Sequence, residues 1–253
     1  MHRSGTSFLA SVLAAAGVAV GTRLVEPDAN NPQGYFEDRD FLELNRRLML
    51  ACTEQDEPGH RDWGWTESER LDRSRMPELR GAALELLARR RRQGAVPWGW
   101  KDPRTTLALD FWHDALEAAG FSPGYLLVYR SPWDVADAMQ RLGADVFLQN
   151  PEYAYRIWTF YNRHLLDFHR RHRQRSLLVA IGAVLGDPRR FSALLSARLG
   201  LRMPEDLPSR LIAAGGLRAR AAGDPLAGLV AATSPEAVRL FGELDGEADL
   251  AAA

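Results

Sequence analysis

The chain has 253 residues, 46% hydrophobic and 26% charged, with a formal net charge of −1 from 32 basic and 33 acidic side chains. That is the size and balance of one α/β domain, or at most two small ones, and it lacks the basic excess of a nucleic-acid binder. Cys52, the single cysteine, excludes an intrachain disulfide and a cysteine metal cluster and fits a reducing, cytoplasmic setting.

Met1-His2-Arg3-Ser4 leads into an apolar run from Phe8 to Val20. This has the outline of a secretory signal and is too short to span a membrane. The competing reading, adopted here, is an anion-binding loop from His2 to Ser7 that opens a helix over 7–20. Phe8, Leu9, Val12, Leu13 and Ala16 recur at helical spacing, and Gly17 or Gly21 marks the end. Residues 22–37, rich in Asp, Asn, Pro and Gly, read as loop. A helix follows from about Asp38 to Ala51, then a polar loop over 53–66 with Trp63 and Trp65, then a helix over about 76–93 ending in four arginines.

Ala95 to Trp100 is a short strand candidate running into Lys101-Asp102-Pro103-Arg104. A helix is expected over 105–119, a buried strand from Gly124 to Tyr129, and a helix from Trp133 to Leu142 after the break at Arg130-Ser131-Pro132. Helix 151–171, strand Ser176 to Ile181 and helix 188–199 complete the clear part; beyond Leu201 the chain is rich in Pro, Gly and Ala. Alternating strands and helices predict a single α/β domain with a central parallel sheet flanked by helices. In such sheets ligands sit beyond the C-terminal strand ends, where Arg3 to Ser7, Lys101 to Arg104 and Arg130 to Pro132 are expected to converge on one polyanion.

Lys101 is the only lysine; every other basic residue is arginine. A GC-rich genome favours arginine codons, so a retained lysine points to a place where a compact point charge is needed, with chance as the alternative. In the first loop, Gly5 lets the backbone approach an anion, and Ser4, Thr6 and Ser7 supply hydroxyls at a helix N-terminus. The Walker A pattern of ATP-binding P-loops is absent, as is a clear acidic metal-binding strand.

Four segments together resemble the PAPS-dependent sulfotransferases (PAPS, 3′-phosphoadenosine-5′-phosphosulfate), especially their bacterial members and the tyrosylprotein group. They are Met1 to Ser7, Asn31-Pro32-Gln33-Gly34-Tyr35-Phe36-Glu37, Trp100 to Arg104, and Tyr129-Arg130-Ser131-Pro132-Trp133-Asp134-Val135-Ala136, spread over residues 1 to about 200. The resemblance implies a P-loop-like three-layer α/β fold and in-line sulfuryl transfer from PAPS to a hydroxyl, with adenosine 3′,5′-bisphosphate as product and no metal. It implies that Arg3, Ser4, Gly5, Thr6 and Ser7 hold the phosphosulfate, that Lys101 stabilises the leaving phosphate, and that Arg130 binds the 3′-phosphate. A general base is also required. Glu37 is the first candidate and Glu26 the second, while a helix-start acid favoured by the dipole is the competing reading of Glu37. Trp63, Trp65, Trp98 and Trp100 are candidates for stacking on an acceptor or for plain packing. Trp158, Tyr161 and Asn162 read as core, and Arg218 and Arg220 as possible nucleotide contacts.

Three departures from the family pattern stand out. Ala138 occupies the place of a serine that helps bind the 3′-phosphate, a loss of about 1–3 kcal/mol if no other donor replaces it. Ile181-Gly182-Ala183 stands where relatives carry an acidic Tyr-Glu-type segment. The hydrophobic strand that precedes the loop in relatives is missing, which predicts that Met1 is a misassigned start or a truncation. Rival readings are a non-catalytic nucleotide-binding member of the family and an ATP-dependent P-loop kinase. The acceptor, carbohydrate, peptide tyrosine or small molecule, is not legible; no nucleic acid partner and no membrane span are expected.

Overall fold

The apolar run after the first loop folds into helix α1 (Thr6–Ala15), with Leu9, Ala10 and Val12 buried. Gly17, at φ +92, ends it: Val18 N donates to Leu13 O and Gly17 N to Ala14 O, both at 3.0 Å. This paired closure needs a left-handed residue, which is why the helix ends at Gly17, the first of the two glycines expected to close it. The computed structural model describes residues 1–29, 31–94, 97–143, 145–203 and 225–252. These fall into two units, Leu13–Pro123, and Met1–Val12 together with Gly124–Ala253.

In the unit Leu13–Pro123, helix α2 (Arg39–Cys52) buries the stripe Phe41, Leu44, Asn45, Leu48, Met49 and Cys52. Its N-cap is Asp38, whose side chain accepts from Asp40 N. The segment read as a polar loop contains a small antiparallel hairpin, β1 (Gly59–His60) and β2 (Trp65–Thr66), around a 3-10 turn at Arg61–Trp63. Gly64, at φ +72, abuts Met49 so closely that a side chain there would collide with it. A 3-10 helix (Arg73–Leu79) runs into α3 (Arg80–Arg92), and another (Pro103–Ala108) into α4 (Leu109–Ala118). The strand expected over 95–100 is reduced to a single parallel bridge between Trp98 and Ala19; residues 95 and 96 lie outside the described set. Packing claims this segment instead, since Trp100 stacks on Phe41 at 4.2 Å and 11° and lies against Trp112.

In the other unit, β3 (Tyr125–Tyr129) and β4 (Ser176–Ala180) pair in parallel with Tyr125 opposite Ser176 and Tyr129 opposite Ala180. Between them come α5 (Pro132–Gln140), α6 (Asp145–Gln149) and α7 (Tyr153–Arg171). After β4 come α8 (Ile181–Gly186), α9 (Pro188–Leu199), α10 (Pro225–Thr233) and α11 (Pro235–Glu247). Parallel strands require a long crossover, and α5 to α7 supply it. The Ala-rich tail adds more than the sequence suggested. Ala180 N donates to Leu250 O at 2.8 Å, Asp249 N to Leu178 O at 2.9 Å, and Leu250 forms a parallel bridge with Val179 at the free edge of β4. The architecture is mixed helix and strand with a small parallel sheet of two strands among the described residues.

Candidate functional site

The first loop carries unusual backbone. Arg3 sits at φ +60 and Gly5 at φ +86, on either side of Ser4. Such alternation turns successive N–H groups toward one concavity, a geometry that suits anions. Only glycine fits at position 5, because a Cβ there would lie 2.6 Å from Ile181 Cγ1. Arg3 has a side chain and no such freedom, so its left-handed conformation is strained. Among its contacts, Arg3 Nε donates to Ala138 O at 3.4 Å, and Arg130 Nη1 donates to Arg3 O at 3.3 Å.

Arg130, at the end of β3, is thereby joined to the loop. Its Nε lies 3.6 Å from Asp134 Oδ2, both side chains being about nine-tenths buried (10% and 6% exposed), and Trp158 Nε1 donates to Arg130 O at 2.9 Å. Burial is the largest influence on the guanidinium and lowers its proton affinity; Asp134 acts in the opposite sense. Ser4 is fully buried, and its hydroxyl has no hydrogen-bond partner among the described residues. The Ser131 hydroxyl is in the same condition, and although Ser131 is the N-cap of α5 it makes no capping bond. Thr6 and Ser7 are half-buried in the first turn of α1.

The sole lysine meets the first-choice base. Lys101 Nζ lies 2.6 Å from Glu37 Oε1 and donates to Tyr35 O at 3.1 Å. Phe36, between those two acceptors, is left-handed at φ +54, which is costly for a bulky residue and directs both flanking groups at one ammonium. The ends of the 22–37 loop are tied together by Val25 N to Glu37 O and Arg39 N to Arg23 O, each 2.8 Å. Burial raises the proton affinity of Glu37, Lys101 offsets this and Asp102 adds to it, so the carboxyl ends above its ordinary value. The helix-start acid is Asp38, not Glu37: it caps α2, accepts from Thr22 N at 2.7 Å and pairs with Arg90. Glu26, the second choice, is exposed.

Behind Lys101 lies a buried polar cluster that the sequence reading missed. Asp102 accepts from Asn45 Nδ2 at 2.9 Å on one oxygen and from Arg104 N at 3.0 Å and Nη1 at 3.1 Å on the other. Asn45 Oδ1 accepts from Trp112 Nε1 at 2.7 Å. The one available signal was a polar residue inside the apolar stripe of α2.

Arg3 to Ser7 and Arg130 belong to one unit, and Lys101 and Glu37 to the other. Of the tryptophans, Trp65 is fully buried, Trp98 and Trp100 lie in the aromatic stack on Phe41, and Trp63 is half-buried against His60 at 4.8 Å. Trp158, Tyr161 and Asn162 are fully buried. Arg218 and Arg220 lie outside the described residues. Among the described residues no group of three or more His, Cys, Asp or Glu is placed to hold a metal ion, and no helix is long and apolar enough to cross a membrane. No protein-family model matches the chain, and no curated protein or solved structure matches it either.

Proposed function

We propose that the chain is a sulfotransferase of the PAPS-dependent family, moving a sulfuryl group to a hydroxyl of a small-molecule, glycan or peptide acceptor. The observation that carries the reading is the buried contact between the only lysine and Glu37, two residues from separate motifs 64 positions apart. The reading implies a P-loop-like three-layer fold, and the small parallel β3–β4 pair among the described residues is compatible with it.

The residues of the first loop suit a phosphosulfate group. Gly5 leaves no Cβ in the way, Ser4 offers a buried hydroxyl without another partner among the described residues, and Arg3 and Arg130 supply permanent positive charge. PAPS supplies a sulfuryl group already bonded to a phosphate leaving group. Transfer of this kind proceeds in line through a loose transition state, so positioned donors account for most of the rate. In this reading the Arg3–Ser7 loop and Arg130 bind and orient the nucleotide. Glu37 takes the proton of the acceptor hydroxyl at its carboxylate, and its raised proton affinity makes it a better base at neutral pH than an exposed glutamate. Lys101 holds Glu37 ionised in a buried setting and provides the compact ammonium that stabilises charge on a departing oxygen.

Calorimetric titration with adenosine 3′,5′-bisphosphate, with ATP as control, tests the reading. Binding of the bisphosphate without ATP binding supports it; preference for ATP points to a kinase, and binding of neither by folded protein rejects it. Lys101→Ala then separates an enzyme from a non-catalytic binder. Turnover should fall about 10²–10³-fold while bisphosphate affinity holds.

A further inference from the structure

We propose that Asp102 is a positioning residue for the Lys101–Glu37 pair, and that Asn45 is the side chain that holds Asp102 in place. The inference rests on the reading of that pair as transfer machinery. Asn45 is fully buried on the apolar face of α2, where a leucine would simply extend the stripe. Its amide is instead used on both sides: Nδ2 donates to Asp102 Oδ2 at 2.9 Å and to Thr105 Oγ1 at 3.0 Å, and Oδ1 accepts from Trp112 Nε1. Buried polar groups persist where their bonds are satisfied, and this amide has partners on every polar atom.

Asp102 is the residue next to Lys101, and its side chain is completely enclosed. One carboxylate oxygen is taken by Asn45 and the other by the backbone and side chain of Arg104. Arg104 is anchored in turn by donating through Nε to Asp62 O at 2.8 Å. Asp102 is thereby fixed in extended backbone, at φ −150, and the direction in which Lys101 leaves the chain is fixed with it. The carboxylate also acts through space. Among the charged groups of the described residues, Lys101, Asp102 and Arg104 act on Glu37; the two cations favour ionised Glu37 and Asp102 opposes it. Asp102 therefore aims the ammonium and keeps the partner carboxyl proton-hungry, two effects that a neutral residue could not supply together.

A single lysine makes the proposal measurable without any ligand. In protein carrying ¹³C-labelled lysine, the ε-methylene of Lys101 gives one resonance, and Glu37, 2.6 Å from Nζ, imposes a pH step on it as it ionises. Glu37→Gln should abolish the step, which identifies it. Asp102→Asn removes a like charge from beside Glu37 and should move the step to lower pH. Asn45→Ala keeps Asp102 but releases it, and should displace the lysine resonance itself. An unmoved step in folded Asp102→Asn, or an unmoved resonance in folded Asn45→Ala, overturns the proposal; if Asp102→Asn does not fold, Asn45→Ala decides alone. Sulfuryl transfer is assayed separately. A displaced resonance in a chain that binds no bisphosphate and transfers nothing leaves Asp102 in its role and rejects the transfer reading. An unmoved resonance in a working enzyme does the reverse.

Discussion

Left-handed backbone at non-glycine residues is rare, and two of the three instances among the described residues, Arg3 and Phe36, fall inside segments singled out from the sequence. Each is kept by contacts that would not form otherwise: Arg130 on the Arg3 carbonyl, Lys101 on the groups flanking Phe36. Gly5 shows the complementary case, a position where strain is avoided by having no side chain. Gly5→Ala combines a disfavoured φ with a 2.6 Å contact to Ile181, and about 1–3 kcal/mol of stability should be lost. Differential scanning calorimetry should show the lowered Tm, and Ile181→Ala in the same chain should recover the steric share only. Residue identities were the most legible layer of the sequence. Lys101 and Glu37 were both named from it, because scarcity and motif residues are visible in one dimension. Asn45 and the hydroxyl of Ser131 were not, because what distinguishes them is which neighbours their polar atoms have.

Helix ends explain where the elements begin and stop. The cap at Asp38 gathers N–H groups from Thr22, Arg23 and Asp40 and the Arg90 guanidinium, so it starts α2 and closes the loop that presents Glu37. Burial alone would raise the Asp38 carboxyl; the N–H bonds and Arg90 outweigh it and hold the group below its ordinary range. A depressed carboxylate contributes stability above its unfolded pKa and loses it as pH falls through the folded value. Asp38→Asn can still cap, but leaves Arg90 buried without its charge partner, a loss of about 3–5 kcal/mol. Urea midpoints should differ strongly between the two proteins at pH 7, and the gap should narrow only as the pH falls below the ordinary aspartate range. Element positions were legible wherever periodicity was strong: the expected 151–171 and 188–199 became Tyr153–Arg171 and Pro188–Leu199. The β1–β2 hairpin was not legible, since two-residue strands leave no period to read.

Across the molecule, ion pairs differ greatly in what they contribute. Arg163, Arg170 and Arg173 on and just after α7 face Glu236, Glu243 and Glu247 of α11, a solvent-exposed ladder. Asp249 is different: it accepts from Leu178 N at 2.9 Å in β4 and pairs with Arg198 at 2.9 Å. Asp249→Ala should cost about 1.5–3 kcal/mol, whereas Arg163→Ala should cost less than about 1 kcal/mol. Chemical denaturation of the two variants side by side checks the contrast, and equal losses would contradict it. The sheet edge at Leu250 escaped the sequence reading because a lone bridge after an Ala-rich stretch carries no hydrophobic pattern.

The division of the chain has a temporal consequence. Leu13–Pro123 is continuous, so a ribosome delivers everything that unit needs in one uninterrupted stretch. The first twelve residues belong with Gly124 onward, and the edge of β4 is completed only by Asp249 and Leu250. Domains fold as units when their parts are present, so the anion loop leaves the exit tunnel ahead of Leu13–Pro123 and must wait through the synthesis of more than a hundred residues before Arg130 and Ile181 arrive to hold it. A segment made before the whole of Leu13–Pro123 acquires its native surroundings only after it.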